Sequence, residues 1–442
     1  MSENSLTLNT ASSAARAPSL MVALDVGSAR IACAVADVSA SRAEIVALDC
    51  SESYGIRCGE VVDMARATES IRIAIAAVAD RAEADVRSVV LGLSGDVKLS
   101  ASKAALELCG ERRCVTTADV ERLSKGMPAG APSGRRAVHR FDGPFSIGDL
   151  HGIEHPEGLS GARLDMHASC LSAPADRLDN LLKAVRAAGV EIEAVALEPM
   201  SSAMGALTSD ERNLGAAVLD FGAGAFRGSL WENGRLRQIH IAAGEQSLTQ
   251  SGRAIAISST PGGGMESVTM ALARRFRLAP NTASRLLRSH GALGCEALAD
   301  QPASVEVAAV DGLGSVKIDT RELSLTLEEL LAPLVRSLRE GLTGFSNAHA
   351  GGVVLCGGGA GIRGLAPWIS KRFGDAHTRL GVARWEFQEK LYVPLELRSS
   401  SACALAGLVA LGAEGRAKIR KRPGTALIGR IGDGLRRLTA SL

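Results

Sequence analysis

The chain has 442 residues, 46% hydrophobic, 22% charged and 3% aromatic, with 50 Lys and Arg against 48 Asp and Glu and a formal net charge of +2. The apolar fraction excludes a disordered chain, and the even charge balance excludes a nucleic-acid coat, which carries a large basic excess. A single core stops growing near roughly 250–300 residues, so two or more domains are expected. In chain order, residues 1–20 are rich in Ser, Ala and Asn, lack the apolar block of a signal peptide, and read as a flexible tail. Strand-like runs follow at MVALDV, IACAVADV and VVLGLS, then AAVLDFG and GGVVLCGG. Helical periodicity lies between them in ATESIRIAIAAVADRAEA, DNLLKAVRAAG, ESVTMALARRF and LEELLAPLVRSLREGL. This is α/β material with tight glycine turns. The nine cysteines are odd in number, scattered and without a CxxC pair, which points to a reducing compartment. No run of about 18 apolar residues predicts a membrane-spanning helix. The eight histidines are dispersed, and His139, His151 and His155 read as polar surface or strand positions.

Three glycine-rich turns stand out. The first lies in MVALDVGSARIACAVADV (21–38), a strand, an Asp-x-Gly-Ser turn and a second strand. The second, AVLDFGAGAFRGSLW (217–231), repeats that plan. The third, GGVVLCGGGAGIRGL (351–365), runs from a strand through a Gly triplet into a helix. A glycine turn between strands exposes backbone N–H groups and lets phosphate oxygens approach. An Asp at the strand end, Asp25 or Asp220, suits Mg²⁺ held through its water shell. A Gly triplet leaves room for a flat base or ribose. The paired Asp-Gly turns also suggest an internal duplication. Taken singly, an Asp-x-Gly-Ser turn is a common hairpin. The spacing Gly359-x-Gly361-x-x-Gly364 matches a dinucleotide fingerprint by letter only. No Walker loop, GxSxG elbow or HExxH helix occurs.

In their order, these turns resemble the phosphate-1, phosphate-2 and adenosine motifs of the actin-like ATPase superfamily. Within it the chain resembles the FtsA family, from about residue 21 to the C-terminus. The segments that carry the likeness are 55–95, PEGLSGARLDMHASCLSAP (156–174) and LLKAVRAAGVEIEAVALEPMSSAMGAL (181–207). The implied fold is α/β, actin-like and ribonuclease H-like duplicated. Two halves flank a nucleotide cleft, with an FtsA-type relocated subdomain. The implied boundaries are 21–88 plus 172–210 for the first half and 89–171 for the inserted subdomain. The second half takes 211–245 plus 326–412, and its small subdomain 246–325.

The resemblance implies ATP and Mg²⁺ as cofactors. Asp25 and Asp220 would hold the metal through water. Gly27, Ser28 and Arg30 would cradle phosphate, Gly222 and Gly224 would form the second clamp, and Gly357, Gly358 and Gly359 would face the adenosine. Glu198 and Asp220 are the catalytic candidates. Glu198 stands where related filament proteins position the attacking water, and reads equally as a carboxylate at a helix N-terminus. Three departures matter. Ala225 lacks a hydroxyl that the family commonly has, Arg227 replaces a carboxylate, and Leu287 stands in a helix that usually contributes polar groups to the pocket. Arginine can contact phosphate but cannot hold Mg²⁺, so at most weak ATPase activity is expected. Residues 239–260 look like an insertion.

From Arg416 onward, eight Lys and Arg stand against one Asp, so the neutral total joins an acidic body to a basic tail. A basic linker is expected over 413–424, then an amphipathic helix over 425–442. Leu427, Ile428, Ile431, Leu435 and Leu438 recur on one face, with Arg430, Arg436 and Arg437 toward the other. This pattern reads as an anchor for an anionic membrane surface. The resemblance implies a cell-division protein on the cytoplasmic face of the inner membrane at the septum. It would self-assemble into filaments and bind the FtsZ C-terminal peptide on residues 246–325. Other division proteins would meet the inserted subdomain, and no nucleic acid is expected. The alternatives are a small-molecule kinase or hydrolase on the same fold, and a pilus-assembly-type scaffold.

Overall fold

The computed structural model describes residues 19–39, 43–108, 113–127, 130–242, 246–248, 254–256, 263–387, 397 and 399–421. The anchor positions Leu427, Ile428, Arg430, Ile431, Leu435, Arg436, Arg437 and Leu438 lie outside these residues.

The first sheet is built on Leu20–Val26, which pairs antiparallel with Arg30–Asp37 and parallel with Ser88–Leu93. Glu44–Glu52 extends one side and Glu191–Leu197 the other. Both faces are covered, so its strands read as continuous apolar runs rather than as alternation. Val22, Leu24 and Val26 face a core shared with the helices Met64–Ala82 and Ala175–Ala187. Met21 and Ala23 point the other way, onto the helix Cys403–Lys421. Asp63 starts the helix Met64–Ala82 by accepting the Arg66 N–H at 3.1 Å.

The second sheet repeats the plan. Ala216–Phe221 pairs antiparallel with Phe226–Glu232 and parallel with Val353–Cys356. Arg235–Ile241 and Thr378–Leu380 complete it. The helix Thr320–Gly341 packs here through Leu323, Leu327, Leu331, Leu334 and Leu338, the three-and-four spacing of one helical face. The duplication expected from the two Asp-Gly turns is thus a duplication of sheet topology.

Inserted within the first half's sequence is a four-stranded antiparallel sheet in the order Leu150–Ile153, Arg135–Ile147, Arg163–Pro174, Lys98–Glu107. The helix Thr117–Gly126 packs on it, opened by a reciprocal Thr116–Asp119 capping box. Ser88–Leu93 does not belong to this piece, although the expected boundary began at 89. It is hydrogen-bonded between Leu20–Val26 and Glu191–Leu197 in the first sheet.

Within 239–260, residues 246–248 and 254–256 pair antiparallel. The helix Cys403–Lys421 runs into the stretch expected as a basic linker. There Arg416 donates to Glu193 Oε1 at 2.7 Å and to the Leu20 carbonyl at 2.7 Å. No disulfide joins the described cysteines. Among the described residues no helix is long and apolar enough to cross a membrane.

Candidate functional site

The two Asp-Gly turns share one geometry. Gly27 N–H donates to the Arg30 carbonyl at 3.0 Å, and Gly222 N–H to the Ala225 carbonyl at 3.1 Å. A Cβ at either glycine would sit 2.9 Å from that same carbonyl, so both positions require Gly. The aspartates correspond as well. Asp25 is in register with Gly92 on the parallel neighbour, and Asp220 lies against Gly357 at the end of Val353–Cys356. A Cβ at Gly92 would lie 3.2 Å from Asp25 Oδ1 and one at Gly357 2.9 Å from Asp220 Oδ1, so a glycine beside each carboxylate leaves it room.

The turns also meet each other. Gly224 abuts Ser28, with its Cβ position 2.5 Å from Ser28 Oγ and 2.7 Å from Cys58 Cα. Ser28 Oγ accepts the Gly59 N–H at 3.0 Å. The hydroxyl expected to cradle phosphate is therefore engaged by the protein's own backbone. Arg30 donates to the Ser401 carbonyl.

Glu198 opens the helix Glu198–Ala206 and is 6% exposed. Ser202, one turn along, lies 3.2 Å from Glu198 Oε1 and 3.3 Å from Asp220 Oδ2. Its single hydroxyl proton serves one of the two at a time. Arg227 is paired directly across the sheet from Asp220, which puts both side chains on the same face. Its Nη1 lies 3.1 Å from Glu198 Oε2, and its Nε and Nη2 donate to the Gly95 carbonyl at 3.3 and 3.2 Å. Arg227 is 5% exposed. It thus joins the second half to the first half at Glu198 and to the start of the inserted sheet at Gly95. Burial raises the Asp25 carboxyl to about 6, against the opposing pull of Arg30. Burial, then the nearby Glu198, holds Asp220 well above the usual carboxylate range.

These residues do not fit a magnesium ion as expected of Asp25 and Asp220. Mg²⁺ needs an open octahedral position beside one or two carboxylates. Here a guanidinium stands among Asp25, Glu198 and Asp220, and no three metal-capable groups converge among the described residues. Glu198 is paired to Arg227 rather than pointed at open space.

The glycine triplet divides. Gly357, at φ 85°, donates to the Ser400 carbonyl at 3.1 Å. Gly359 is buried against Met265, whose Sδ is 2.8 Å from the Cβ position. Gly358 alone has nothing within 4 Å of its Cβ position. A shallow hollow is walled by residues including Gly59, Ser94, Gly95, Asp96, Pro174 and Leu197; neither aspartate of the two turns lines it.

Two contributors were missed in the sequence. The Met265 and Glu266 N–H groups, at the start of the helix Met265–Phe276, donate to the Gly222 and Ala223 carbonyls at 3.0 Å each. Gly264 permits this, since a Cβ there would lie 2.6 Å from the Gly222 carbonyl oxygen. The GGGM run before an apolar-periodic helix was the available signal. The other is His139, 3% exposed and not on the surface, whose Nε2 accepts the Leu197 N–H at 3.1 Å, immediately before Glu198.

Residues 95–172 match the domain described as "SHS2 domain inserted in FTSA". The cell division protein FtsA of Pseudomonas aeruginosa is 25% identical over 371 residues, covering 82% of this chain and 83% of that protein. FtsA of Escherichia coli strain K12 is 26% identical over 375 residues, again 82% of this chain and 83% of the other. The chain is similar to FtsA proteins over most of its length and carries a match to the domain inserted in them. Likeness to proteins named for cell division supports a role there. Solved structures share the actin-like fold. The PilM–PilN type IV pilus biogenesis complex gives a TM-score of 0.57 at 17% identity, covering 89% of this chain and 98% of that one. MreB5 of Spiroplasma citri bound to ADP gives 0.53 at 14% identity, covering 92% and 99%. The FtsA match begins at Gly95, whose carbonyl Arg227 holds.

Proposed function

We propose that this FtsA-like chain is a peripheral membrane adaptor of cell division. It binds ATP between its two halves, self-associates, and tethers FtsZ filaments to the cytoplasmic face of the membrane at the septum. The observation that carries the reading is the inserted sheet at 95–172 within an FtsA likeness covering most of the chain. The basic amphipathic sequence of 425–442 supplies the membrane contact. FtsZ's C-terminal peptide docks on the small subdomain of the second half, and other division proteins dock on the inserted sheet. The paired glycine turns and the open face of Gly358 support nucleotide binding. The pairing of Glu198 with Arg227 supports binding with little or no turnover, because that carboxylate is not available to orient a water.

Co-sedimentation with anionic vesicles tests the adaptor. The full chain pellets with vesicles and carries FtsZ down, and the chain lacking 425–442 stays in the supernatant. Equal pelleting of the shortened chain removes the anchor; FtsZ left in the supernatant beside pelleted full chain removes the tether.

A further inference from the structure

We infer that Arg227 takes the place of a metal ion in the cleft: its guanidinium is a tethered cation, and the cleft receives the phosphates of a nucleoside polyphosphate without a divalent metal. The inference rests on the nucleotide-binding reading above and specifies its chemistry.

Arg227 lies directly across from Asp220, beside the second glycine turn, and its Nη1 is 3.9 Å from the Gly222 Cβ position. In a duplicated fold the matching residue of the first half is the one opposite Asp25, and that residue is Ala32. Only the second half therefore puts a cation at this point.

Orientation follows from the partners. Nε and Nη2 both donate to the Gly95 carbonyl, which fixes the plane of the guanidinium. Nη1 is left facing Glu198 at 3.1 Å, yet Glu198 Oε2 accepts no directed hydrogen bond among the described residues. The Nη1 protons thus retain donor capacity in a buried setting, next to the backbone turn that would meet phosphate. Arginine is weakly hydrated, permanently charged and matched in shape to phosphate oxygens. A divalent ion in the same volume would meet a fixed positive charge at short range.

Glu198 keeps the guanidinium neutralised until an anion arrives. A phosphate competes with that carboxylate, so Glu198 sets the affinity rather than assisting it.

The test is a titration of the full chain with mant-ATP in excess EDTA and in excess Mg²⁺. The expected dissociation constants differ by less than about threefold between the two conditions. Arg227→Gln weakens binding by about tenfold or more, the loss of a hydrogen bond to a charged group. Glu198→Gln, which releases the guanidinium, tightens it, and this arm does not depend on the arginine variant folding. Binding that Mg²⁺ strengthens more than about tenfold overturns the inference and leaves nucleotide binding standing. Unchanged binding in Arg227→Gln, or weaker binding in Glu198→Gln, also overturns it. Absence of mant-ATP binding in both conditions overturns the nucleotide reading itself.

Discussion

Removing one partner of the Arg227–Glu198 pair should cost far more than removing both. The two side chains are 6% and 8% exposed, so neither charge has much water to fall back on. In Arg227→Met the stem volume is kept, but Glu198 loses its counter-charge and the Gly95 carbonyl loses both donors. Stranding a buried charge costs about 3–5 kcal/mol. Asp25 and Asp220, which Arg227 also stabilises in their charged forms, act in the same direction. In the double variant Arg227→Met/Glu198→Gln, the stranded charge is gone while Ser202 keeps an oxygen partner. Its cost should fall about 2 kcal/mol below the sum of the single costs. The assay is urea unfolding followed by tryptophan fluorescence. Urea leaves ion pairs unscreened, and the buried Trp231 lies on the same strand as Arg227. An Arg227→Met cost under about 1 kcal/mol, or additive costs in the double variant, would refute the placement of a buried ion pair here.

Two further predictions concern pH and run in opposite directions. Asp25 is raised to about 6 in the fold, so its contribution is present below about 4 and is lost as pH rises through about 6, by up to about 3 kcal/mol. His139 is lowered to about 4 by burial, so its contribution is present above about 6.5 and is lost as pH falls toward 4, by about 3 kcal/mol. The two slopes oppose each other between about pH 4 and 6. Asp25→Asn should expose the histidine slope and His139→Gln the aspartate slope, read as unfolding midpoints across that range; parallel profiles for both variants would show that neither group is buried as described. Gly224→Ala should cost about 1–3 kcal/mol, because the new methyl meets Ser28 Oγ and the backbone at Cys58. A melting temperature equal to wild type would mean that the turns do not touch.

The glycine turns were legible because their chemistry is local. A strand, an Asp and a Gly in sequence suffice to specify a hairpin that only glycine can close, and both copies recurred. The inserted sheet was legible from its segments, but its first boundary was not. VVLGLS reads as a strand in either location, and only pairing with Leu20–Val26 assigns it to the first sheet. Arg227 was visible as a departure, but its partner was not. Glu198 comes from the other half, and strand register together with the start of a separate helix brings the two together. His139 takes the strand alternative of its reading and not the surface one; which applied was not legible, since a histidine in an alternating strand looks alike on either face until another element covers it. Cys356 and Cys403, hydrogen-bonded side chain to side chain, were likewise beyond reach from spacing.

The helix Cys403–Lys421 meets the helix Glu198–Ala206 backbone to backbone: Gly205 lies on the Cys403 carbonyl and Gly407 on the Ser201 carbonyl, with no room for a methyl at either. Contacts of that kind leave no compliant side chains between the rods. The longer helix, about 28 Å from end to end, starts beside the strand end that precedes the glycine triplet and includes the first basic residues of the tail, from Arg416 to Lys421. A side chain at either glycine would push the short helix that bears Glu198 away from the longer one. Within the described residues, the helix Cys403–Lys421 and the short helix that bears Glu198 are held as one close-packed pair.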